Sequence, residues 1–282
     1  MPRPHSRQDW ELLLKNSRVV PSKAMGQHFL VEPSIVDRIV ETASISDVDH
    51  VLEVGPGLGI LTSALVDRSA RVVAVELDDE LAAYLRRAFH TETRLHIAEQ
   101  DARYVQPIDF DFAPDYKVVA NLPYSTATVI LRRLLDQPPA PASLTVMVQR
   151  EVAERMVAQP PNMSLLSIAI QLSSHAHIAM VVPPEAFSPP PRVESAVVHL
   201  VPLGEPLIDD QDRAALFRLA TLAFQAKRKT LSNSLAHGLK QSKETVATEL
   251  ERLGVDGMRR PQTLSLVEWC HVARSSLGEL PK

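Results

Sequence analysis

The sequence predicts an α/β fold with a parallel sheet covered by helices on both faces, followed by a small all-helical domain. Two observations carry this prediction. Between residues 33 and 148, short apolar, β-branched runs alternate with segments of helical period, a pattern typical of βαβ units. After a stretch at 203–206 that contains Gly and Pro, helical spacing alone remains. We therefore predict domains at 1–202 and 203–282.

The elements follow in order from period and composition. Residues 1–25 carry no sustained pattern and are expected to form a loose, basic-polar arm. Pro33 then starts a one-sided apolar helix. Further predicted helices are Ile60–Asp67, Asp79–Phe89 and Ala127–Leu135, then 209–224, 227–237, 243–253 and 265–277, the last with a Ser265–Glu268 capping box. Predicted strands are His50–Val54, Arg71–Val75, Arg94–Ala98, Lys117–Ala120, Leu144–Val148 and Val193–Pro202.

Composition excludes several classes of protein. The 282 residues are 45% hydrophobic and 23% charged, as in globular proteins. The single cysteine, Cys270, excludes a disulfide framework and a Cys-rich zinc site, and no metal site is predicted. No apolar run reaches the ~18 residues of a membrane span, and the first twenty residues lack an apolar signal core. We expect a cytoplasmic protein without a membrane partner. The net charge of −4 argues against binding nucleic acid by bulk charge alone.

The loop Gly55-Pro56-Gly57-Leu58-Gly59 follows an apolar strand that carries Glu53. Glycines let a backbone turn tightly and approach a ligand. The dinucleotide fingerprint needs its third Gly where Ile60 stands, and no Gly-Lys-Ser/Thr ending indicates a P-loop. The spacing suits a nucleoside ligand without a pyrophosphate. The alternative is a plain glycine-rich turn.

Two acidic residues follow neighbouring strands. Glu76 ends the second strand about 20 residues after the glycines, where a carboxylate grips a ribose diol. Asp79 and Glu80 are interpreted instead as acids at a helix N-terminus. Asp101 follows the third strand and is a candidate acceptor for an adenine amino group, or alternatively an Asx-type loop residue.

The loop Asn121-Leu122-Pro123-Tyr124 follows the fourth strand. An exocyclic aromatic amine is a poor nucleophile, because its lone pair is delocalised into the ring. The Asn121 carboxamide oxygen and the Leu122 carbonyl are two candidate acceptors for its N–H groups. Pro123 stiffens the loop, and Tyr124 offers a face for base stacking. No general base is required. The alternative is a β-turn with a core tyrosine.

The segment Phe187–Val193 contains three successive prolines, which form a stiff rod. It is predicted to hold Phe187 as the opposite wall of a base-stacking slot, with Arg192 at a phosphate. The alternative is an exposed loop with Phe187 as a buried anchor.

These segments together resemble the ribosomal RNA small-subunit adenine dimethyltransferase family over about residues 23–275. The matching motifs are Gly26–Leu30, Glu53–Gly59, Val75-Glu76, Asp101, Asn121–Tyr124, Phe187–Val198 and Lys227–Leu231.

The resemblance implies a Rossmann-like S-adenosylmethionine-dependent methyltransferase domain and a helical C-terminal domain that contacts rRNA. It implies dimethylation of N6 on two adjacent adenosines near the 3′ end of small-subunit rRNA, in an assembling subunit, by a monomer. The implied catalytic residues are Asn121, Leu122, Pro123 and Tyr124. The implied cofactor residues are His28, Leu30, Gly55, Gly57, Glu76, Asp101 and Asn121. The expected RNA contacts are Phe187, Arg192, Lys227, Arg228 and Lys229.

Other functions are weighed on the same residues. A large-subunit rRNA adenine methyltransferase of the macrolide-resistance type shares the cofactor loops, but the Phe187–Ser195 and Lys227–Leu231 matches favour the small-subunit family. A non-catalytic RNA-binding factor on this fold can lose the carboxylates or the tetrapeptide, which are intact here. Ile60 occupies the position of the third glycine in the dinucleotide-binding fingerprint, which disfavours an NAD-dependent dehydrogenase.

Charge is unevenly distributed along the chain. Residues 1–40 hold 6 Lys and Arg against 4 Asp and Glu, and residues 203–282 hold 12 against 10. The intervening residues hold 12 against 20. We expect RNA to be held along the two basic margins with marked salt dependence.

Overall fold

The structure is a computed structural model that describes residues 4, 6–17, 19, 21, 22 and 27–278. Its helices are α1 Arg7–Asn16, α2 Pro33–Thr42, α3 Ile60–Arg68, α4 Asp79–Ala88, α5 Ala127–Asp136, α6 Arg150–Met156, α7 Leu165–Gln171, α8 Asp210–Gln225, α9 Leu231–Leu239, α10 Lys243–Arg252 and α11 Leu266–Ala273. Its strands are β1 Phe29–Leu30, β2 His50–Val54, β3 Arg71–Glu76, β4 Leu95–Glu99, β5 Lys117–Asn121, β6 Ser143–Gln149, β7 Ser174–Val182, β8 Phe187–Ser188 and β9 Ser195–Pro202.

The chain forms two compact units. The first comprises Met1–Ala153 and Ala176–Pro202, and the second comprises Glu154–His175 and Leu203–Lys282. The predicted division after residue 202 therefore misplaces Glu154–His175. This segment groups with the second unit because Ile168 and other apolar side chains of α7 pack in the same core as α8–α11.

The central sheet of the first unit has the order β4-β3-β2-β5-β6-β9-β7. The pairs from β4 to β6 are all parallel, whereas β9 runs antiparallel to β6. The sheet is therefore mixed: the predicted parallel arrangement is confirmed for β2–β6, and the late strand β9, for which no direction was predicted, runs antiparallel. Parallel strands end at one edge, so the loops after β2, β3 and β5 share that edge.

Both faces of the sheet are buried. Val51, Val72 and Val119 pack in one cluster with α1–α3, and the intervening Leu52 and Val118 are also fully buried. Near-continuous apolar strands of this kind need cover on both sides. The predicted strands and the helices α2–α5 are confirmed, with ends that differ by one or two residues.

Several elements escape sequence prediction. Residues 7–16 form α1 in place of the expected arm, because Ser6 and Asp9 make a capping box and Trp10 is buried in the core. The elements α6, α7 and β7 were also missed. The helix predicted over 227–237 begins at Leu231 instead, because the residues before Thr230 form a turn.

The second unit is helical, with a core centred on α8, α9 and α11. The predicted capping box is confirmed: Ser265 and Glu268 cap α11 reciprocally.

None of the described helices has the length and apolarity needed to cross a membrane. Among the described residues, no group of three or more His, Cys, Asp or Glu side chains is arranged to hold a metal ion.

Trp269 provides a test of this second core. It is fully buried and stacks on Phe224 with ring centroids 6.0 Å apart. We expect Trp269→Ala to lower the free energy of unfolding by about 3–5 kcal/mol, measured by urea denaturation followed by circular dichroism. The control is Val267→Ala on the same helix, because the Val267 side chain is 63% exposed. We expect this control to change the free energy of unfolding by no more than about 0.5 kcal/mol. Equal losses in the two variants would contradict this packing.

Candidate active site

A cavity of about 340 Å³ opens where β2, β3 and β5 end, within the first unit. That volume is in the range of small-molecule sites, roughly 300–1,000 Å³. Its lining comprises Gln27–Leu30, Val54–Leu58, Ile60, Leu61, Val75–Leu77, Leu81, Gln100–Arg103, Asn121–Thr126 and Ile130. Residues from every candidate segment that sequence analysis identified before residue 125 therefore line this one cavity.

The glycine loop forms a cradle on one wall of the cavity. Gly55 and Gly57 have φ angles of +70° and +56°, which L-residues with a Cβ rarely adopt. A Cβ on Gly55 would lie 3.0 Å from the backbone oxygen of Asn121, and one on Gly57 would lie 3.0 Å from the Phe29 ring. The glycines therefore allow the loops after β2 and β5 to approach each other closely.

Glu76 connects two of these loops. Its Oε2 accepts a hydrogen bond from Gly57 N at 3.2 Å, and its Oε1 accepts from Leu77 N at 2.9 Å and from Asp78 N at 3.0 Å. Burial raises the pKa of Glu76, while these N–H groups act in the opposite direction. A carboxylate has about four lone-pair positions, so one remains for a ligand hydroxyl.

Glu53, the acidic residue ahead of the glycines, is buried within the sheet, with no exposed surface. Burial raises the pKa of Glu53 to about 8, against a smaller opposite effect of Thr62. It lies behind the loop rather than among the lining residues described for the cavity.

Asp101 lies on the cavity wall but is bound by a neighbour. Arg103 Nη2 lies 2.6 Å from its Oδ2, and Arg103 N donates to its Oδ1 at 2.9 Å. The Arg103 guanidinium lowers the pKa of Asp101, so the carboxylate is charged. Sequence analysis did not identify Arg103 as a partner of Asp101, although the two residues are only two positions apart.

The Asn121–Tyr124 loop forms the part of the lining next to the glycine loop. Asn121 ends β5, and Leu122 N donates to Met147 O at 3.1 Å, which fixes the peptide after Asn121. The Tyr124 hydroxyl lies 2.6 Å from Ser195 Oγ, and its ring is stacked on His28 with centroids 6.2 Å apart. Burial raises the pKa of Tyr124, so its hydroxyl keeps its proton. The Ser195 partner was not predicted.

Phe187 does not form a wall of the cavity. It is 1% exposed, packs in the core of the first unit and pairs with Leu30 between β8 and β1. The prediction of a stacking wall is wrong for this structure, and the alternative of a buried anchor is correct. Burial of Phe187 is not visible in the sequence, because the proline rod suits either position.

The other predicted contacts lie away from the cavity lining. Arg192 is exposed, and Lys227, Arg228 and Lys229 are exposed in the turn between α8 and α9 of the second unit. Gly26, the first residue of the Gly26–Leu30 motif, lies outside the described residues, as does most of the segment just before it.

Comparison with known proteins decides the family. The family model described as ribosomal RNA adenine dimethylase matches residues 21–272. The chain belongs to the ribosomal RNA adenine dimethylase family. Accordingly it is a methyltransferase that uses S-adenosylmethionine.

Individual relatives cover nearly the whole chain. A protein of Dehalococcoides mccartyi named ribosomal RNA small subunit methyltransferase A is 40% identical over 88% of this chain and 85% of its own. The protein of that name from Enterococcus faecalis is 38% identical over 93% and 92%. Among solved structures, a dimethyladenosine transferase from Plasmodium falciparum has a TM-score of 0.72 at 25% identity, covering 86% of this chain and 94% of its own. The 23S rRNA methyltransferase ErmE has a TM-score of 0.70 at 25% identity, covering 87% and 98%.

The cavity suits the cofactor of this family on its own geometry. Gly55 and Gly57 line the cavity with backbone alone and let Asn121 and Phe29 pack closely against them, and a buried carboxylate on the next strand keeps one acceptor position. Glu76, Asp101 and His28 are polar side chains that line this cavity.

Glu76→Ala tests this arrangement. We expect it to weaken S-adenosylmethionine binding about 10- to 100-fold, since it removes a charged acceptor and releases three N–H groups. Isothermal titration calorimetry measures the affinity. Glu80→Ala, an exposed acid in the first turn of α4, serves as the control and should bind as the wild type does. Unchanged affinity in Glu76→Ala would refute the assignment.

Proposed function

We propose that this enzyme dimethylates N6 of two adjacent adenosines near the 3′ end of small-subunit rRNA, acting as a monomer on an assembling subunit in the cytoplasm. One observation carries the proposal. Asn121–Tyr124, a loop suited to an exocyclic amine, shares a single cavity with Gly55–Leu58 and Glu76, which suit a nucleoside cofactor. The names of the relatives support the small-subunit substrate.

The chemistry follows from two acceptors. The Asn121 carboxamide oxygen and the Leu122 carbonyl accept the N–H groups of the target amine, which draws its lone pair out of conjugation with the ring. The bond from Leu122 N to Met147 O orients the peptide that precedes Leu122. S-adenosylmethionine, when bound, supplies an electrophilic methyl group.

The second methylation needs only one of these acceptors, since a monomethylated amine keeps one N–H. Each transfer leaves the methylated nitrogen with a positive charge. This cation is strongly acidic and loses its proton to water. Tyr124 is not a base in this reaction: its phenol is already protonated, and burial raises its pKa. Its role is to stack on the target adenine.

The remaining residues hold the two ligands. Glu76 accepts from a ribose hydroxyl, and Asp101, oriented by Arg103, accepts from the adenine amino group of the cofactor. His28 and Leu30 border the same space. Arg192 and the turn Lys227–Lys229 are exposed and basic, and we assign to them contacts with RNA phosphates.

Primer extension tests the substrate. Small and large ribosomal subunits from a strain that lacks this modification are each incubated with the protein and S-adenosylmethionine. Reverse transcriptase should stop at the paired adenosines near the 3′ end of the small-subunit rRNA. Stops confined to large-subunit rRNA would favour the resistance-type enzyme instead, and the absence of new stops in either rRNA would favour a non-catalytic factor.

Asn121→Ala tests the chemistry. We expect methyl transfer to fall at least about 100-fold, because loss of a preorganised acceptor acts on the transition state, while S-adenosylmethionine affinity changes little. Tritium incorporation and calorimetry measure the two quantities. Asn16→Ala, at the exposed end of α1, is the control. Full transfer activity in Asn121→Ala would exclude the proposed role.

A further inference from the structure

We propose that Ser195 is a positioning residue, which holds the Tyr124 ring in the orientation that stacks on the target adenine. The inference rests on the proposed function, because that function gives Tyr124 its stacking role. Ser195 does not line the cavity described above, and it acts through the hydroxyl of Tyr124.

Ser195 is a rigid anchor. It is fully buried at the start of β9, and its Cα lies opposite Gln149 of the antiparallel strand β6. Its Oγ lies 2.6 Å from Tyr124 Oη. Within the described residues, Tyr124 is the hydrogen-bond partner found for that hydroxyl. A buried hydroxyl is costly to leave unpaired, so the two groups hold each other.

The geometry of the contact determines what it constrains. The oxygen of a tyrosine lies on the axis through Cβ and the ring, about which the ring rotates. A bond at that oxygen fixes the direction of the axis and leaves rotation about it free. Ser195 therefore determines where the ring points, and a second contact is needed to set its plane.

His28 provides the second contact. Its ring makes an angle of 26° with that of Tyr124. Its Nδ1 lies 2.8 Å from the carbonyl oxygen of Pro189, and since a carbonyl only accepts, Nδ1 carries the proton. Pro189 follows β8, which pairs with β1 directly after His28. Ser195, on the seven-stranded sheet, thus fixes the direction of the Tyr124 ring axis. His28, next to the two-stranded sheet of β1 and β8, sets the plane of the ring.

A double-mutant cycle tests the coupling. Ser195→Ala and Tyr124→Phe remove the same hydrogen bond from its two ends. We expect each to lower kcat/KM on unmethylated small subunits about 3- to 10-fold, the range that one neutral hydrogen bond supplies. The double variant should lose no more than either single variant, and S-adenosylmethionine affinity should stay within about twofold. Additive losses, or unchanged kcat/KM in Ser195→Ala, would overturn the proposal.

Two further variants separate positioning from stability. Ser143→Ala makes the same change at a buried serine at the start of β6 and should leave kcat/KM unchanged. Ser195→Thr retains the hydroxyl and should recover most of the activity lost in Ser195→Ala. A purely structural role would lower the melting temperature without changing kcat/KM per folded molecule.

A readout without substrate distinguishes failure of this inference from failure of the proposed function. The chain has four tyrosines, so fluorotyrosine labelling gives a simple ¹⁹F spectrum, in which Tyr124→Phe identifies one resonance. That resonance should shift and broaden in Ser195→Ala but not in Ser143→Ala. An unchanged resonance would refute the positioning role whatever the enzyme methylates, whereas a wild type inactive on small subunits would refute only the proposed substrate.

Discussion

The bonds from Glu76 to three backbone N–H groups are the constraint on which the site depends. They join the glycine loop after β2 to the turn that starts α4, so the ends of two neighbouring strands are held in one arrangement. A carboxylate that is 7% exposed must be compensated in this way, because burial disfavours its charge. The three N–H groups that stabilise this charge also occupy most of the hydrogen-bond acceptor positions of Glu76. The carboxylate is therefore a structural connection, and the same bonds fix the direction in which it would accept a ligand hydroxyl in the proposed function.

A second group of contacts closes the cavity from segments far apart in the chain. β1 pairs with β8, His28 contacts Pro189, and Phe29 packs against Gly57. Tyr124 lies between these contacts and β9. The conformation of the Asn121–Tyr124 loop thus depends less on its own four residues than on the residues that surround them. This explains how a short tetrapeptide acquires a defined geometry that its sequence alone does not specify.

Much of the first unit was predictable because its strands are apolar throughout and its helices have a clear period. β2 and the start of α5 match their predicted bounds. The helix α1 was not predictable, because it buries Trp10 alone and is otherwise polar or partly exposed. The segment Glu154–His175 was misplaced because the core it joins is formed by residues much later in the chain. In the site, strand ends indicated Glu76, Asp101 and Asn121. Ser195, Arg103 and the burial of Phe187 depend on tertiary contacts, which no local pattern records.

The pairing of β1 with β8 has a consequence for biosynthesis. Leu30 emerges early from the ribosome, but its partner Phe187 is made more than 150 residues later, and Ser195 follows it. By then the parallel strands β2–β6, the glycine loop and Asn121 have all been synthesised. A nascent chain that ends between Gln149 and Phe187 therefore contains these segments but lacks both Ser195 and the strand that pairs with β1. Order of synthesis thus separates the residues of the cavity lining from the residues that contact Tyr124 and His28.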